Sequence, residues 1–155
     1  MKIYNFSAGP ACLPDIVLRA VQDAAVDHGD SGMSVMEMSH RSKPIVELFD
    51  KATSNLRQLL NIPSNYHVLW LQGGASLQFS MIPLNLLPEK GRADYLDSGA
   101  WASKAIIECN KVGKANVVGS SKESNYSYIP KEYEQDTNSI YFHITSNNTI
   151  YGTQI

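Results

Sequence analysis

Residues 67–79 read HVLWLQGGASLQF: an apolar run, a glycine pair, a small hydroxyl residue and the start of a second apolar segment. Val68, Leu69, Trp70 and Leu71 predict a short strand buried on both faces, and Gly73 and Gly74 predict a tight turn leading into a helix near Ser76. Backbone N–H groups in the first turn of a helix have no intrahelical partner, and the helix dipole makes that end partly positive. A strand, a glycine loop and a helix N-terminus are therefore shaped to hold a phosphate. The glycines let the backbone come close, and Ser76 adds a hydroxyl donor. The same stretch also fits a plain connection between a strand and a helix. It has neither the GxGxxG spacing nor the Gly-Lys-Ser/Thr ending of the common nucleotide fingerprints.

The 155 residues around it have the size of one domain, and 43% hydrophobic residues suffice for a buried core. Thirteen basic and 15 acidic residues give a formal charge of −2 and are scattered along the chain. Without a basic block, neither nucleic acid nor an anionic membrane surface is an expected partner. Cys12 and Cys109 are isolated, with no CxxC spacing, and four scattered histidines supply no zinc pattern, so both cysteines read as reduced packing residues and no metal is expected. The N-terminal MKIYNFSAGP has no long apolar region and no stretch approaches the length of a membrane span, which reads as a cytoplasmic protein. The glycosylation-type triplets at 125–127 and 147–149 then have no glycosylation to carry.

The chain opens with a short apolar piece at 3–6 and a turn cluster at 7–10. Pro14 starts an amphipathic helix with Val17, Leu18, Val21 and Ala25 on one face, expected to pack on the body, and Gly29 lies past its end. Residues 28–43 are irregular and rich in methionine, with Met33, Met36 and Met38 ahead of His40 and Arg41. Such a loop suits a surface covered by another subunit, or one that buries its own methionines. Ser42 and Pro44 then begin a helix in which Ile45, Leu48, Phe49, Ala52, Leu56, Leu59 and Leu60 keep helical spacing, with Glu47 and Lys51 as an ion pair. Beyond Phe79 the helix is apolar on nearly all sides and expected to be buried, bent by Pro83 and stopped by Pro88.

A second unit follows: a strand at 93–97, Ser98 as helix cap, and a helix carrying Trp101, Ala105, Ile106, Cys109 and Val112 that ends at Gly113. Further strands are expected at 116–118 and 139–144, the latter alternating Ile140, Phe142 and Ile144, with a brief helical turn at 130–133 between them. Strands alternating with helices of this length predict an α/β fold, a three-layer αβα arrangement on a largely parallel sheet. Ligands of such sheets gather at the C-terminal ends of the strands. The loops at 73–76, 98–101 and 145–149 should then face one crevice, where Trp101 either stacks on a flat ring or packs in the core.

NFSAGP at 5–10, GMSVMEMSHRS at 32–42, QGGASLQF at 72–79, SGAWASKA at 98–105 and ITSNNTIYGTQ at 144–154 occur in this order. Taken together these motifs resemble the phosphoserine aminotransferases, pyridoxal-phosphate enzymes of the large aspartate-aminotransferase fold class (fold type I, class V). The resemblance covers the whole chain and implies an N-terminal arm at 1–15 followed at 16–155 by the N-terminal part of the cofactor-binding large domain. It implies a cytoplasmic homodimer with active sites between subunits, and the cofactor pyridoxal 5'-phosphate. The implied reaction is transfer of an amino group between glutamate and the phosphorylated 2-oxo acid 3-phosphohydroxypyruvate in serine synthesis, with the related 4-phosphohydroxythreonine step of pyridoxine synthesis as a further activity. Position by position, Ala75 and Ser76 resemble the residues that hold the cofactor phosphate, Trp101 the residue stacked on the pyridine ring, and Thr149 the hydroxyl at the ring's phenolic oxygen. His40 and Arg41 resemble the pair that reaches a neighbouring subunit's substrate phosphate, where a bidentate guanidinium suits a dianion.

Some members of the family carry an arginine at the position of Ser76, where it adds a contact to the substrate phosphate. Transamination also needs a lysine that carries the cofactor and an acid facing its ring nitrogen. In the family's pattern both lie beyond Ile155, and none of the nine lysines here has a matching context. No catalytic residue is therefore expected within the segment, which alone is expected to be inactive, with the rest of the large domain and the small C-terminal domain outside it. Two other readings fit the βα pattern without the motifs: a small flavodoxin-like phosphate- or nucleotide-binding module without covalent chemistry, and an interaction protein docking through its methionine-rich loop.

Overall fold

The computed structural model describes residues 3–155, so the first two residues of the expected N-terminal arm lie outside it. The chain forms two compact units, one of residues up to Trp70 and one spanning Leu71–Ile155.

In the first unit, helix α1 (Asp15–Val26) follows Pro14, whose fixed φ suits a helix start. A 3-10 turn at Val35–Glu37 is closed by a reciprocal cap: the Ser34 hydroxyl accepts from the Met36 amide, while Glu37 accepts from the Ser34 amide at 3.1 Å. Helix α2 (Lys43–Leu60) begins at Ser42 and Pro44 as the spacing predicts and ends on Asn61 in the left-handed conformation. The Ser42 hydroxyl does not cap α2; it donates to the Ser39 carbonyl at 2.7 Å. The ion pair that forms on α2 is Lys43 with Glu47 at 3.8 Å, one turn earlier than the expected Glu47 and Lys51. Helix α1 does not find the packed setting its periodicity predicts. Its apolar side, with Val21 60% exposed, opens on a groove of about 560 Å³ bordered by Val35 and Leu48. Met33 and Met36 are also exposed, while Met38 is half-buried, so the loop buries only part of its methionine surface.

The predicted strand over 68–71 is absent from the described residues. Leu69, Trp70 and Leu71 are all exposed, and the segment has no ladder partner. A strand exists only by pairing, and Trp70 is committed elsewhere. Its ring meets Phe49 of α2 edge-on at 6.2 Å between centroids, and its Nε1 donates to Thr53 Oγ1 at 2.9 Å. Arg57 holds the preceding turn by donating to the carbonyls of Pro63 and Tyr66.

The second unit is the predicted α/β body. Helix α3 (Gly74–Leu86) contains the buried Pro83; strand β1 (Arg92–Asp97), helix α4 (Ala100–Cys109) and strand β2 (Lys114–Ser120) form a parallel β-α-β crossover. Strand β3 (Phe142–His143) pairs in parallel on the other side of β1, giving the order β2-β1-β3. As the central strand, β1 is buried on both faces from Ala93 to Asp97. Ala93 and Tyr95 pack against Ala105 and Cys109 of α4, with Phe79, Leu87 and Ile106 around them. Asp94, buried in the same strand, is satisfied by Asn116 Nδ2 at 2.8 Å, Ser139 Oγ at 2.6 Å and the Asp136 amide at 2.6 Å. Burial opposes its charge, but these three donors and the Arg92 guanidinium outweigh it and hold the carboxyl below the ordinary value.

Several elements differ from their predicted extent. Helix α3 leaves Leu84 and Leu86 exposed. Residues 130–133 form no helical turn, and a 3-10 turn occurs earlier, at Lys122–Ser124. The expected strand at 139–144 is regular only over β3, although the Ile140 amide and Tyr141 carbonyl still bond to the Arg92 carbonyl and Asp94 amide, each at 2.9 Å. An unpredicted antiparallel hairpin, β4 (Asn147–Asn148) with β5 (Thr153–Gln154), follows it. Among the described residues no helix is long and apolar enough to cross a membrane, and no group of three or more His, Cys, Asp or Glu side chains is placed to hold a metal ion.

Candidate functional site

Within the second unit the ends of α3, α4 and the β4–β5 hairpin enclose a cavity of about 370 Å³ lined by residues that include Ala75, Ser76, Phe79, Trp101, Asn147 and Thr149. Its wall at α3 is set by Gly73 and Gly74, at φ +100° and +61°. A side chain at Gly73 would be strained by that φ and would also run into Leu77, so the loop requires glycine. No side chain caps α3. The amides of its first turn, on Gly74, Ala75 and Ser76, therefore border the cavity without a capping acceptor.

Trp101 stands in the first turn of α4, and Thr149 follows Asn148 at the tip of the hairpin. The two meet: Trp101 Nε1 donates to Thr149 Oγ1 at 3.1 Å. The expected cap at Ser98 is not formed, because the N-cap is Gly99 and the fully buried Ser98 hydroxyl instead accepts from Asn148 Nδ2 at 3.2 Å. Asn148 is itself 1% exposed, and its Oδ1 lies against Gly99 where a Cβ would be. Gly99 thus lets the hairpin dock on the loop between β1 and α4, which sets Thr149 beside Trp101.

Deeper in the unit, His143 stacks on Tyr95 at 4.9 Å between centroids and meets Phe79 edge-on at 6.0 Å. Burial lowers its pKa, favouring the neutral imidazole, whose Nε2 lies 3.5 Å from the hydroxyl of the cavity residue Thr145. The Tyr95 hydroxyl is 2.8 Å from that of Tyr141, and burial pushes the Tyr141 phenol up to about 12.

Of the residues singled out in the sequence, Ala75, Ser76, Trp101 and Thr149 are brought together in one cavity. His40 and Arg41 belong to the first unit, where both are exposed on the turn before α2. The cavity lining comes entirely from the second unit. Sequence reasoning missed Phe79 as a wall and Asn148 as the anchor of the hairpin. Phe79 reads as one more apolar helix position, and the Asn148 side chain finds its partner 50 residues away. The arrangement offers an anion the free amides of α3 and offers a flat ring the indole of Trp101, with hydroxyls of Ser76, Thr145 and Thr149 at its rim.

A phosphoserine aminotransferase of Chromobacterium violaceum is 52% identical over 155 residues, covering 99% of this chain and 43% of that protein. The solved structure of phosphoserine aminotransferase from Bacillus circulans subsp. alkalophilus superposes with a TM-score of 0.92 at 47% identity, covering 99% of this chain and 43% of that one. The crystal structure of a PLP-bound phosphoserine aminotransferase from Trichomonas vaginalis superposes with a TM-score of 0.87 at 38% identity, covering 97% and 43%. The chain thus spans less than half the length of the relatives it matches. The family described as Aminotransferase class-V matches residues 3–155, and the chain belongs to that family.

Proposed function

We propose that this chain is the N-terminal part of a phosphoserine aminotransferase that moves an amino group between glutamate and 3-phosphohydroxypyruvate, giving phosphoserine and 2-oxoglutarate. The observation that carries this reading is the cavity in which the uncapped α3 terminus, the Trp101 ring and the Thr149 hydroxyl converge. These groups fit pyridoxal 5'-phosphate: free amides for a phosphate, an indole for a planar heterocycle and a hydroxyl for a phenolic oxygen. When bound, that cofactor supplies an electrophilic carbon for the amino nitrogen and a ring that takes up electrons released at the substrate α-carbon.

The chain's own residues then act as follows. The amides of Ala75 and Ser76, with the Ser76 hydroxyl, hold the cofactor phosphate at the positive end of α3. Trp101 covers one face of the ring and excludes water from it. Thr149 accepts the Trp101 N–H, which leaves its own O–H proton free to donate to the phenolic oxygen. His40 and Arg41 bind the phosphate of the substrate in the neighbouring subunit of a cytoplasmic homodimer, Arg41 as a bidentate clamp. The related 4-phosphohydroxythreonine reaction is the second activity of the same site, and the lysine that carries the cofactor lies in sequence beyond Ile155.

The test uses the full-length protein, with glutamate and 3-phosphohydroxypyruvate as substrates. The wild type should form phosphoserine, and Arg41→Ala should raise KM for the phosphorylated substrate at least about tenfold, the loss expected of a charge-assisted hydrogen bond. Absence of phosphoserine overturns the reaction, and an unaltered KM overturns the role of Arg41.

A further inference from the structure

Lys104 stands one helical turn after Trp101, and its Nζ lies 4.8 Å from the centroid of the indole. The three-residue spacing puts both side chains on one face of α4. Trp101 lines the cavity and Lys104 does not. Lys104 instead borders an adjoining recess of about 190 Å³ with Ser76, Phe79, Ile107 and Glu108, so the ammonium meets the indole from outside the cavity. The acid one turn further on, Glu108, is already engaged by Lys111 Nζ at 2.6 Å and Ser80 Oγ at 2.8 Å. Among the described residues Lys104 has no carboxylate partner, and the aromatic face is what its charge meets.

We propose that Lys104 is a positioning residue for the cofactor: its ammonium packs on the indole of Trp101 and, with the hydrogen bond from Trp101 Nε1 to Thr149, holds the ring in the plane that stacks on a bound pyridine. A tryptophan in the first turn of a helix turns about two side-chain torsions, and a contact at one edge leaves rotation about that contact free. A cation over the face removes that freedom, because the attraction is strongest above the ring. The contact is exposed, so its effect on binding is modest, and it acts through Trp101 alone. This proposal rests on the reading that the cavity takes pyridoxal phosphate.

The experiment titrates the cofactor-free, full-length protein with pyridoxal phosphate, and compares Lys104→Met and Lys104→Arg in the wild-type and Trp101→Ala backgrounds. Lys104→Met should weaken binding about two- to five-fold, the range of an exposed cation–aromatic contact. Lys104→Arg should retain it, since a guanidinium also packs on ring faces. In the Trp101→Ala background Lys104→Met should add no further loss, and its urea midpoint should match that of the parent. Unchanged or tighter binding by Lys104→Met overturns the proposal. So does an equal loss without the indole, which would make the ammonium a direct ligand of the phosphate, and so does a loss that follows the urea midpoint. A wild-type protein that takes up no pyridoxal phosphate overturns the function proposed above together with this role, whereas wild-type uptake matched by Lys104→Met overturns this role alone.

Discussion

Gly99→Ala tests how the site is assembled. A Cβ at Gly99 would fall on Asn148 Oδ1 and lie 2.6 Å from Asn148 Cγ and 3.1 Å from its Cβ. Ordinary contact begins at 3.4 Å, so Cγ alone must retreat by about 0.8 Å. Asn148 cannot swing aside: it is 1% exposed, and turning away would break its bond to the buried Ser98 hydroxyl. Overpacking a tight site costs about 1–3 kcal/mol, and a lost buried hydrogen bond adds about 1 kcal/mol, so the variant should be destabilised by roughly 2–4 kcal/mol. Because Thr149 is the next residue, the displaced hairpin also moves its hydroxyl from Trp101, and pyridoxal phosphate should bind more weakly. The assay is urea unfolding of the full-length protein, paired with cofactor titration. In an Asn148→Ala background the collisions with Oδ1 and Cγ are gone and only the contact with Cβ at 3.1 Å remains, so Gly99→Ala should cost less than about 1 kcal/mol. A Gly99→Ala protein within about 0.5 kcal/mol of the parent, or one whose cost persists undiminished beside Asn148→Ala, would refute the docking role of this glycine.

Trp101→Phe keeps an aromatic face and removes the donor to Thr149. Cofactor affinity should fall about two- to ten-fold, the worth of one hydrogen bond, and an unchanged dissociation constant would show that the indole N–H does not matter. Asp94→Asn puts an amide where Asn116, Ser139 and the Asp136 backbone all donate, and should cost about 1–3 kcal/mol at neutral pH. The folded-state pKa of Asp94 is depressed, so its stabilisation is fully present above the ordinary value of 3.8 and is lost as pH falls through the lower folded value. The gap between variant and parent in urea midpoint should therefore narrow below about pH 4, and a constant gap to about pH 3 would contradict the assignment.

The β-α-β crossover was readable because local signals agreed with long-range packing. Strand β1 is central and buried on both faces, and α4 keeps helical spacing through Ala105 and Cys109, which pack on it. Where the two disagree, the reading failed. The run at 68–71 has the composition of a buried strand, but pairing is non-local and Trp70 is held by Phe49 and Thr53 of α2. Ser98 has the chemistry of a helix cap, yet its hydroxyl is taken by an asparagine 50 residues later. The β4–β5 hairpin left no pattern at all, since two residues of Asn-Asn facing Thr-Gln show no apolar alternation. Of the cavity, the glycine loop was legible from φ requirements and Trp101 from its place at a helix start. The contact between Trp101 and Thr149 depends on that unreadable hairpin.

The supports of these two residues extend to Asp97, at the end of β1. Its carboxylate is buried and accepts from Ser103 Oγ at 2.8 Å, Ser120 Oγ at 3.0 Å and the Tyr126 hydroxyl at 3.3 Å. A buried carboxylate stays in place only where donors compensate its lost hydration, so these hydroxyls must remain directed at it. Ser103 belongs to the same helix as Trp101, and Ser120 ends β2. The Tyr126 ring packs at 4.8 Å against Tyr151, which lies in the turn that carries Thr149. One buried side chain therefore ties the helix bearing the indole to the hairpin bearing the hydroxyl, while Gly99 and Asn148 fix the same hairpin from the loop between β1 and α4. Both attachments act on the same short β4–β5 ladder, and together they set Thr149 beside Trp101 from two sides of the hairpin.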